Sequence, residues 1–245
     1  MVKQTALKKG VFFILLSAFS FALMSVFIRE VGDLPAAQKA LFRNSVSFLF
    51  AAVMVKRGRS ENTAEKKHNW RQLLLRSVCG TIGVVANFYA ISRLPLGDSN
   101  SLNKLSPFFT ILASALILKE SVKPYQLFGL GIAFTGALLI LKPTAIGLSL
   151  AHIVAIIGAI AAGFAYTYVR QLRLLGEQGA YIVFFFSAFS ILTLIGPVLF
   201  KYQAMTSRQL ILLLLAGVAA SLGQLGVTEA YKYAPARAIS IYNYA

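Results

Sequence analysis

The stretch that begins at Asp98 and reads DSNSLNKLSPFF places polar side chains at the start of an apolar run. On a helix, spacings of three, four and seven bring its polar or helix-breaking positions to one side, together with a serine further along. These positions are Asn100, Asn103, Lys104, Pro107 and Ser114. Pro107 has no N–H to donate to the carbonyl oxygen of Asn103, which therefore stays free on the same side. On a membrane helix such a stripe typically faces the bundle interior or a water-filled cavity.

Lys104 allows two interpretations. It lies six residues past Asp98, so its Cα is about 9 Å from the outer end of the span. The side chain can extend to the lipid headgroups, or it can reach the cavity and hold a carboxylate or phosphate of a ligand. Because Lys104 shares the polar stripe, the cavity interpretation is favoured.

Facing stripes recur in three other apolar runs. They contain Asn87, Tyr166 and Gln224 among small residues. Small residues also permit close helix packing, and this explanation is favoured for Gly80, Gly83 and Gly158. For Asn87, Asn103 and Gln224, packing and cavity lining stay equally open. The candidate substrate-binding residues are Asn87, Tyr89, Asn100, Asn103, Lys104, Pro107, Tyr166, Gln224, Tyr242 and Asn243.

Composition identifies the elements that carry these stripes. Hydrophobic residues make up 58% of the 245 residues, charged residues make up 13%, and the mean hydropathy is +0.71. A soluble domain is less apolar and about a quarter charged, so the sequence indicates a multi-pass protein of the cell (inner or plasma) membrane, with the lipid bilayer as a partner. The predicted spans are 10–29, 37–55, 72–92, 98–118, 124–141, 150–170, 180–200 and 209–233, with a ninth beginning at Ala236.

The net charge of +16 follows the links between spans, which argues against a nucleic-acid partner. Of the basic residues, fifteen fall on one side of the predicted membrane and five on the other, so the N-terminus is expected to be cytoplasmic. Lys39 and Arg43, within the second span, are expected to extend to the headgroups. His68 and His152 stand apart from other ligand-type residues, so no metal site and no cofactor are predicted.

An internal repeat is indicated by the alignment of 72–105 with 212–245 at a shift of 140 residues. The matched pairs are Gly83 with Gly223, Pro95 with Pro235 and Asn103 with Asn243, while a shift of 141 places Arg29 on Arg170. The unit holds five spans, an odd number, so the second copy is expected to be inverted. The repeats are 1–143 and 144–245, and the second is expected to be truncated in the ninth helix. The alternative is a chance match between glycine-containing apolar helices.

Two motifs extend this interpretation. The fourth span reads LSPFFTILASALILKES and the fifth reads GLGIAFTGALLILKP, and together they resemble the EamA-type drug/metabolite transporter superfamily. The resemblance implies an all-α polytopic membrane protein with two inverted five-helix repeats, ten helices when complete. Lys104 departs from it, because the family usually has a neutral residue there.

A secondary transporter that works by alternating access is therefore predicted. It would move a small metabolite, and the resemblance implies an amino acid or related compound, with export the expected direction. No Walker loop is found, which argues against direct use of ATP. An intramembrane enzyme is a weaker alternative, because the spans hold almost no titratable cluster and no catalytic residue is assigned. A truncated protein that does not transport is the third interpretation.

Glu229 is the candidate coupling carboxylate, with protons as the candidate ion. It matches Tyr89 in the repeat, while Lys104 matches Tyr244, so Glu229 and Lys104 are expected near opposite membrane faces. The alternative is an ordinary ion pair between Glu229 and Lys232, three residues further on. The sequence leaves a homodimer open, since lipid-facing and partner-facing apolar surfaces look alike.

Overall fold

The computed structural model describes residues 2–58, 68–121 and 149–239, together with residues 124, 128, 129, 131, 132, 135, 136 and 242. The three long ranges form helices and contain no strand. The helices are α1 (Val2–Glu30), α2 (Ala36–Gly58), α3 (Trp70–Arg93), α4 (Leu96–Asn103), α5 (Ser106–Ile117), α6 (Leu150–Leu174), α7 (Gly179–Phe200), α8 (Ser207–Tyr233) and α9 (Ala236–Ile239).

Among the residues that the structure describes, five segments are long and apolar enough to cross a membrane. They are Ala6–Glu30, Trp70–Arg93, Leu150–Leu174, Gly179–Phe200 and Ser207–Tyr233. The helix α2 has a similar length of 23 residues, but Lys39, Arg43 and Asn44 lower its hydropathy. Large apolar side chains such as Phe19, 69% exposed, point outward from the bundle, as expected where lipid is the solvent. The protein is an all-helical, multi-pass membrane protein.

The predicted fourth span, 98–118, is two helices rather than one. The helix α4 ends at Asn103, Lys104 and Leu105 form a turn, and α5 begins at Ser106. Pro107 lies in the first turn of α5, where its missing N–H costs no helical hydrogen bond. The predicted fifth span, 124–141, falls largely outside the described residues.

Three helix pairs build the bundle: α1 packs on α8, α3 packs on α6, and α2 packs on α7. Glycines allow α3 and α6 to pack closely against each other, and α6 to pack closely against α5. In the α3–α6 pair, a Cβ at Gly158 would stand 2.8 Å from the Cβ of Ala86, and a Cβ at Gly83 would stand 3.3 Å from the backbone N of Ala162. A Cβ at Gly163 would stand 2.9 Å from the backbone N of Thr110 in α5. The packing role predicted for Gly83 and Gly158 agrees with these distances.

One end of the bundle, here called the Glu30 end, holds the ends of α1 and α3 and the start of α2. Lys39 is fully buried there, and its Nζ donates to the carbonyl oxygen of Gly32 at 2.6 Å and to Oγ of Ser92 at 2.7 Å. Lys39 therefore ties the α1–α2 corner to α3. The expectation that it extends to the headgroups is wrong, because the corner itself covers the ammonium group.

The opposite end, the Trp70 end, holds the start of α3 and the corner between α6 and α7. Glu177, 3% exposed, accepts hydrogen bonds from the backbone N of Asn69 at 2.9 Å and contacts Nδ1 of His68 at 3.2 Å. The His68 ring also stacks on Tyr181, with centroids 4.0 Å apart. His68, isolated in sequence, is thus joined to a carboxylate 109 residues away.

Candidate binding cavity

A cavity of about 570 Å³, its open mouth included, lies among α1, α2, α3, α4, α6 and α8. One wall is apolar, with Phe21, Met24, Val84 and Phe88. The polar groups on the lining come from Ser25, Arg43, Arg76, Asn87, Asn103, Tyr166 and Gln224.

Arg76, on α3, is 1% exposed. Its Nη2 donates to Oε1 of Gln224 on α8 at 2.8 Å. Its Cζ lies 3.9 Å from the centroid of the Phe186 ring on α7, a distance at which a cation is attracted by the aromatic face. Gly80, one turn along α3, leaves the space that the guanidinium occupies, since a Cβ there would collide with it.

Arg43, on α2, is also 1% exposed. Its Nη1 donates to Oδ1 of Asn44, and Nδ2 of Asn44 donates in turn to Oγ of Ser190 on α7 at 2.7 Å. The Cζ of Arg43 lies 5.9 Å from the centroid of the same Phe186 ring. Two guanidinium groups from different helices therefore converge on one aromatic side chain. The expectation that Arg43 extends to the headgroups is wrong, because the side chain is enclosed by the bundle.

The cavity carries positive charge without a balancing carboxylate in the part of the chain that the structure describes. The ion pairs found there join other cations: Glu30 with Arg208, Glu120 with Arg170, Glu177 with His68, and Glu229 with Arg173. The Nε atoms of both Arg43 and Arg76 are buried without a hydrogen-bond partner among the described residues. Each guanidinium therefore keeps N–H donor capacity beyond its bond to a neutral amide.

Four of the sequence-predicted residues come together on the cavity lining. These are Asn87, Asn103, Tyr166 and Gln224. They reach the cavity from α3, α4, α6 and α8 respectively, and Asn103 does so because α4 ends there. Their amide and hydroxyl groups can both donate and accept hydrogen bonds, as a site that fixes the orientation of a polar ligand requires.

Four other predicted residues are not part of this lining. Tyr89 is half-buried under Arg93, whose Cζ is 5.7 Å from its ring centroid. The backbone carbonyl oxygen of Asn100 accepts from the backbone N of Lys104 at 2.9 Å, and Lys104 is the half-buried C-cap of α4. Pro107 is buried in α5.

Two predicted residues lie near the end of the chain. Tyr242 is 39% exposed. Asn243 lies outside the described residues.

Glu229 lies at the Trp70 end of α8, away from the cavity. Its Oε1 is 3.1 Å from Nη2 of Arg173 on α6, and a Cβ at Gly179 would stand 2.6 Å from Oε1. The cation paired with Glu229 is thus Arg173, 56 residues away, instead of the neighbouring Lys232. In the described ranges, no group of three His, Cys, Asp or Glu side chains is placed to hold a metal ion.

Sequence reasoning missed Arg43, Arg76 and Phe186. The two arginines were visible as charges inside spans, and their rarity at such depth was the signal available. Phe186 lies in the run FFFS, which offers no such signal. Only the packing of α2, α3 and α7 reveals that these three side chains meet.

Comparison with known proteins agrees with this architecture. A family model described as the EamA-like transporter family matches residues 8–142. The chain is 33% identical over 243 residues to the pseudopaline exporter CntI of Pseudomonas aeruginosa, covering 97% of this chain and 84% of the exporter. It is 27% identical to a riboflavin transporter of Rhizobium johnstonii, covering 93% of this chain and 76% of that protein.

The chain also resembles a protein of known crystal structure, with a TM-score of 0.62 and 17% sequence identity. The match covers 97% of this chain and 87% of the other chain. At that identity the likeness concerns the fold alone. A polytopic helical bundle around a polar internal cavity is typical of secondary transporters. Within that class, this chain belongs to the EamA-like transporter family.

Proposed function

We propose that the protein is a secondary-active transporter that exports a small metabolite, an amino acid or related compound, by alternating access. The observation that carries this proposal is the cavity inside the bundle, lined by side chains from six helices. Asn87, Asn103, Tyr166 and Gln224 would hydrogen-bond the substrate there. An exporter and a riboflavin transporter among its relatives support the class of activity.

Alternating access by two inverted repeats, 1–143 and 144–245, is supported by the order of packing. Under the shifts of 140 and 141 residues, α1 corresponds to α6, α2 to α7, and α3 to α8. Exchanging the two repeats turns the α1–α8 pair into the α6–α3 pair and leaves the α2–α7 pair unchanged. Such exchange is what an inverted repeat requires, because the two halves become alternative walls of one cavity.

Orientation follows from the basic links in the sequence. The N-terminus and the Trp70 end would be cytoplasmic, and the Glu30 end would face outward. Glu229, at the Trp70 end, would then release to the cytoplasm a proton that had entered from outside, so that the inward flow of protons would drive export.

The test is export from bacterial cells that express the chain. The metabolites that leave the cells are compared between the native protein, an Asn103→Ala variant and an empty vector. We expect at least one metabolite to accumulate in the medium with the native protein only. A protonophore should stop the accumulation while ATP is maintained. Identical media in all three cultures would contradict the proposal.

A further inference from the structure

We infer that the substrate carries an oxyanion, a carboxylate or phosphate, which binds between Arg43 and Arg76. This inference rests on the proposed function for the statement that the ligand is transported, and on the geometry of the cavity for its charge. The ligand is a soluble organic anion with an apolar portion.

The first step is the cost of the arrangement without a ligand. Arg43 and Arg76 are each 1% exposed, and both approach the Phe186 ring. Two cations that share one ring repel each other, and a buried charge without a partner is strongly unfavourable. Charged residues inside a membrane bundle are retained where they line a substrate or ion pathway. An anion supplied by the ligand removes both penalties.

The second step is the presence of N–H donors that have no partner among the described residues. The hydrogen bonds of Arg43 and Arg76 within the cavity go to the neutral amides of Asn44 and Gln224, while both Nε atoms are unpaired among the described residues. A guanidinium presents its N–H groups in a planar fork that matches the two oxygens of a carboxylate or phosphate. The neutral amides accept from only part of each fork, so the remaining N–H groups can donate to a second partner.

The third step excludes the opposite charge. The lining contains no Asp or Glu among the described residues, so a cationic ligand would find two like charges and no counter-ion. The apolar wall formed by Phe21, Met24 and Phe88 lies in the same cavity. It suits the carbon skeleton of an organic anion better than a small inorganic ion.

The experiment measures thermal stabilisation of the full chain in an uncharged detergent. The probes are glutarate, glutaramide and cadaverine, which share a five-carbon chain and carry two negative charges, no charge and two positive charges. Glycerol 3-phosphate and glycerol form a second pair, which separates phosphate from carboxylate. We expect glutarate or glycerol 3-phosphate to stabilise the protein in a saturable manner, and the neutral and cationic probes to have no effect.

Three variants locate the effect. Arg43→Gln and Arg76→Gln should each weaken the apparent affinity for the stabilising anion at least tenfold, and Arg76→Lys should retain part of it. Arg208→Gln is the matched control, because this arginine is 78% exposed and pairs with Glu30 at the surface. The comparison of glutarate with glutaramide on the native protein needs no variant, so it decides the matter even if a variant fails to fold.

Equal stabilisation by glutarate and glutaramide would overturn the inference, as would the absence of any effect from both anions. Stabilisation by phosphatidylglycerol in place of the soluble anions would overturn it as well, since the site would then hold a lipid. The proposed function fails separately. A protein that binds glutarate through Arg76 but exports nothing is an anion-binding protein without transport, whereas export of a cation through an intact cavity removes only the inference.

Discussion

Arg29 and Arg170 make the same contact at opposite ends of the bundle. Arg29, in the last turn of α1, donates through Nη1 to the carbonyl oxygens of Ile91 at 2.5 Å and Leu94 at 2.8 Å, where α3 ends. Arg170, near the end of α6, donates through Nη1 to the carbonyl oxygen of Tyr231 at 2.6 Å, where α8 ends. Each guanidinium supplies a donor to the last turn of a helix, where carbonyl groups lack an intrahelical partner.

The prolines explain why both helices need this donor. The carbonyl oxygens of Ile91 and Tyr231 would accept from the residue four positions later, which is Pro95 in one case and Pro235 in the other. Proline has no N–H, so the arginine from the neighbouring helix replaces the missing hydrogen bond. Helix end, proline and arginine thus recur at both ends of the bundle, at a shift of 140 residues for the helix end and proline and 141 for the arginine.

The first prediction concerns these two contacts. In a Cys79→Ser background, Leu94→Cys reports on the Glu30 end and Ala234→Cys reports on the Trp70 end, since both positions are buried C-caps. We expect Arg29→Gln to accelerate thiol labelling at position 94, and Arg170→Gln to accelerate it at position 234. The hypothesis tested is that each contact closes one end, so that its loss opens that end.

The two reporters serve as controls for each other. If either arginine substitution accelerates labelling at both positions alike, the contacts hold the whole bundle together and do not close the ends separately.

The second prediction concerns Gly80. A Cβ at this position would collide with the Arg76 guanidinium and stand 2.9 Å from Cε2 of Phe186. We expect Gly80→Ala to displace the tip of Arg76, which is the movable partner, and to weaken glutarate binding about tenfold or more. The fold should survive, as judged by monodisperse elution and an apparent Tm near that of the native protein. Gly196→Ala is the matched control, because a Cβ there meets nothing within 4 Å.

The third prediction concerns Gly163, where the obstacle is backbone. A Cβ would stand 2.5 Å from the Cβ of Phe109 and 2.9 Å from the backbone N of Thr110. The helices α5 and α6 would have to separate, and such overpacking typically costs about 1–3 kcal/mol. We expect Gly163→Ala to lower the apparent Tm measured by thermal unfolding in detergent. Gly196→Ala again provides the comparison, and equal Tm values for the two variants would refute the prediction.

The fourth prediction concerns the cost of a buried cation. Without a ligand, Arg76 is buried beside a neutral amide and an aromatic ring. Replacing a poorly compensated buried charge with an apolar group of similar volume is often stabilising, so we expect Arg76→Met to raise the free energy of unfolding by about 1 kcal/mol or more. The measurement is thermal unfolding of the ligand-free protein in a buffer of low ionic strength. A lower Tm would mean that Arg76 stabilises the fold directly.

The fifth prediction concerns Glu229 as the coupling carboxylate. We expect Glu229→Gln to abolish the dependence of export on the proton gradient, because the amide cannot release a proton. Export of the substrate down its own outward concentration gradient should continue. Glu30→Gln is the matched control, since Glu30 forms an exposed pair with Arg208 at the other end. If Glu229 serves only to hold Arg173, the variant will lose stability while its export keeps the pH dependence of the native protein.

Much of the fold follows from hydrophobic length. The predicted spans 150–170, 180–200 and 209–233 agree with α6, α7 and α8 to within a few residues, because a run of about twenty apolar residues bounded by charges leaves few alternatives. The break at Lys104 and Leu105 was harder to place. Pro107 indicated an interruption of the helix. A proline in the first turn of a new helix and a proline within a continuous span look alike in sequence, however.

The candidate site was predictable only in part. Asn87, Asn103, Tyr166 and Gln224 were found because polar residues in apolar helices avoid lipid. Arg76 was not, since its partner Gln224 is 148 residues away and no local pattern links the two. Arg43 was placed too near the surface, because the spacing along α2 gives no information about how α7 packs against it and encloses the side chain.

The bond between Arg76 and Gln224 has a consequence for how cargo could move the protein. This hydrogen bond joins α3 to α8, and its donor belongs to the guanidinium that would bind the oxyanion. An anion bound to the remaining N–H groups of Arg76 would draw the guanidinium towards itself and away from Gln224, so loading the cavity would weaken one of the contacts across it. Substrate binding would then favour movement of α3 relative to α8, whereas the empty carrier would keep the two helices joined.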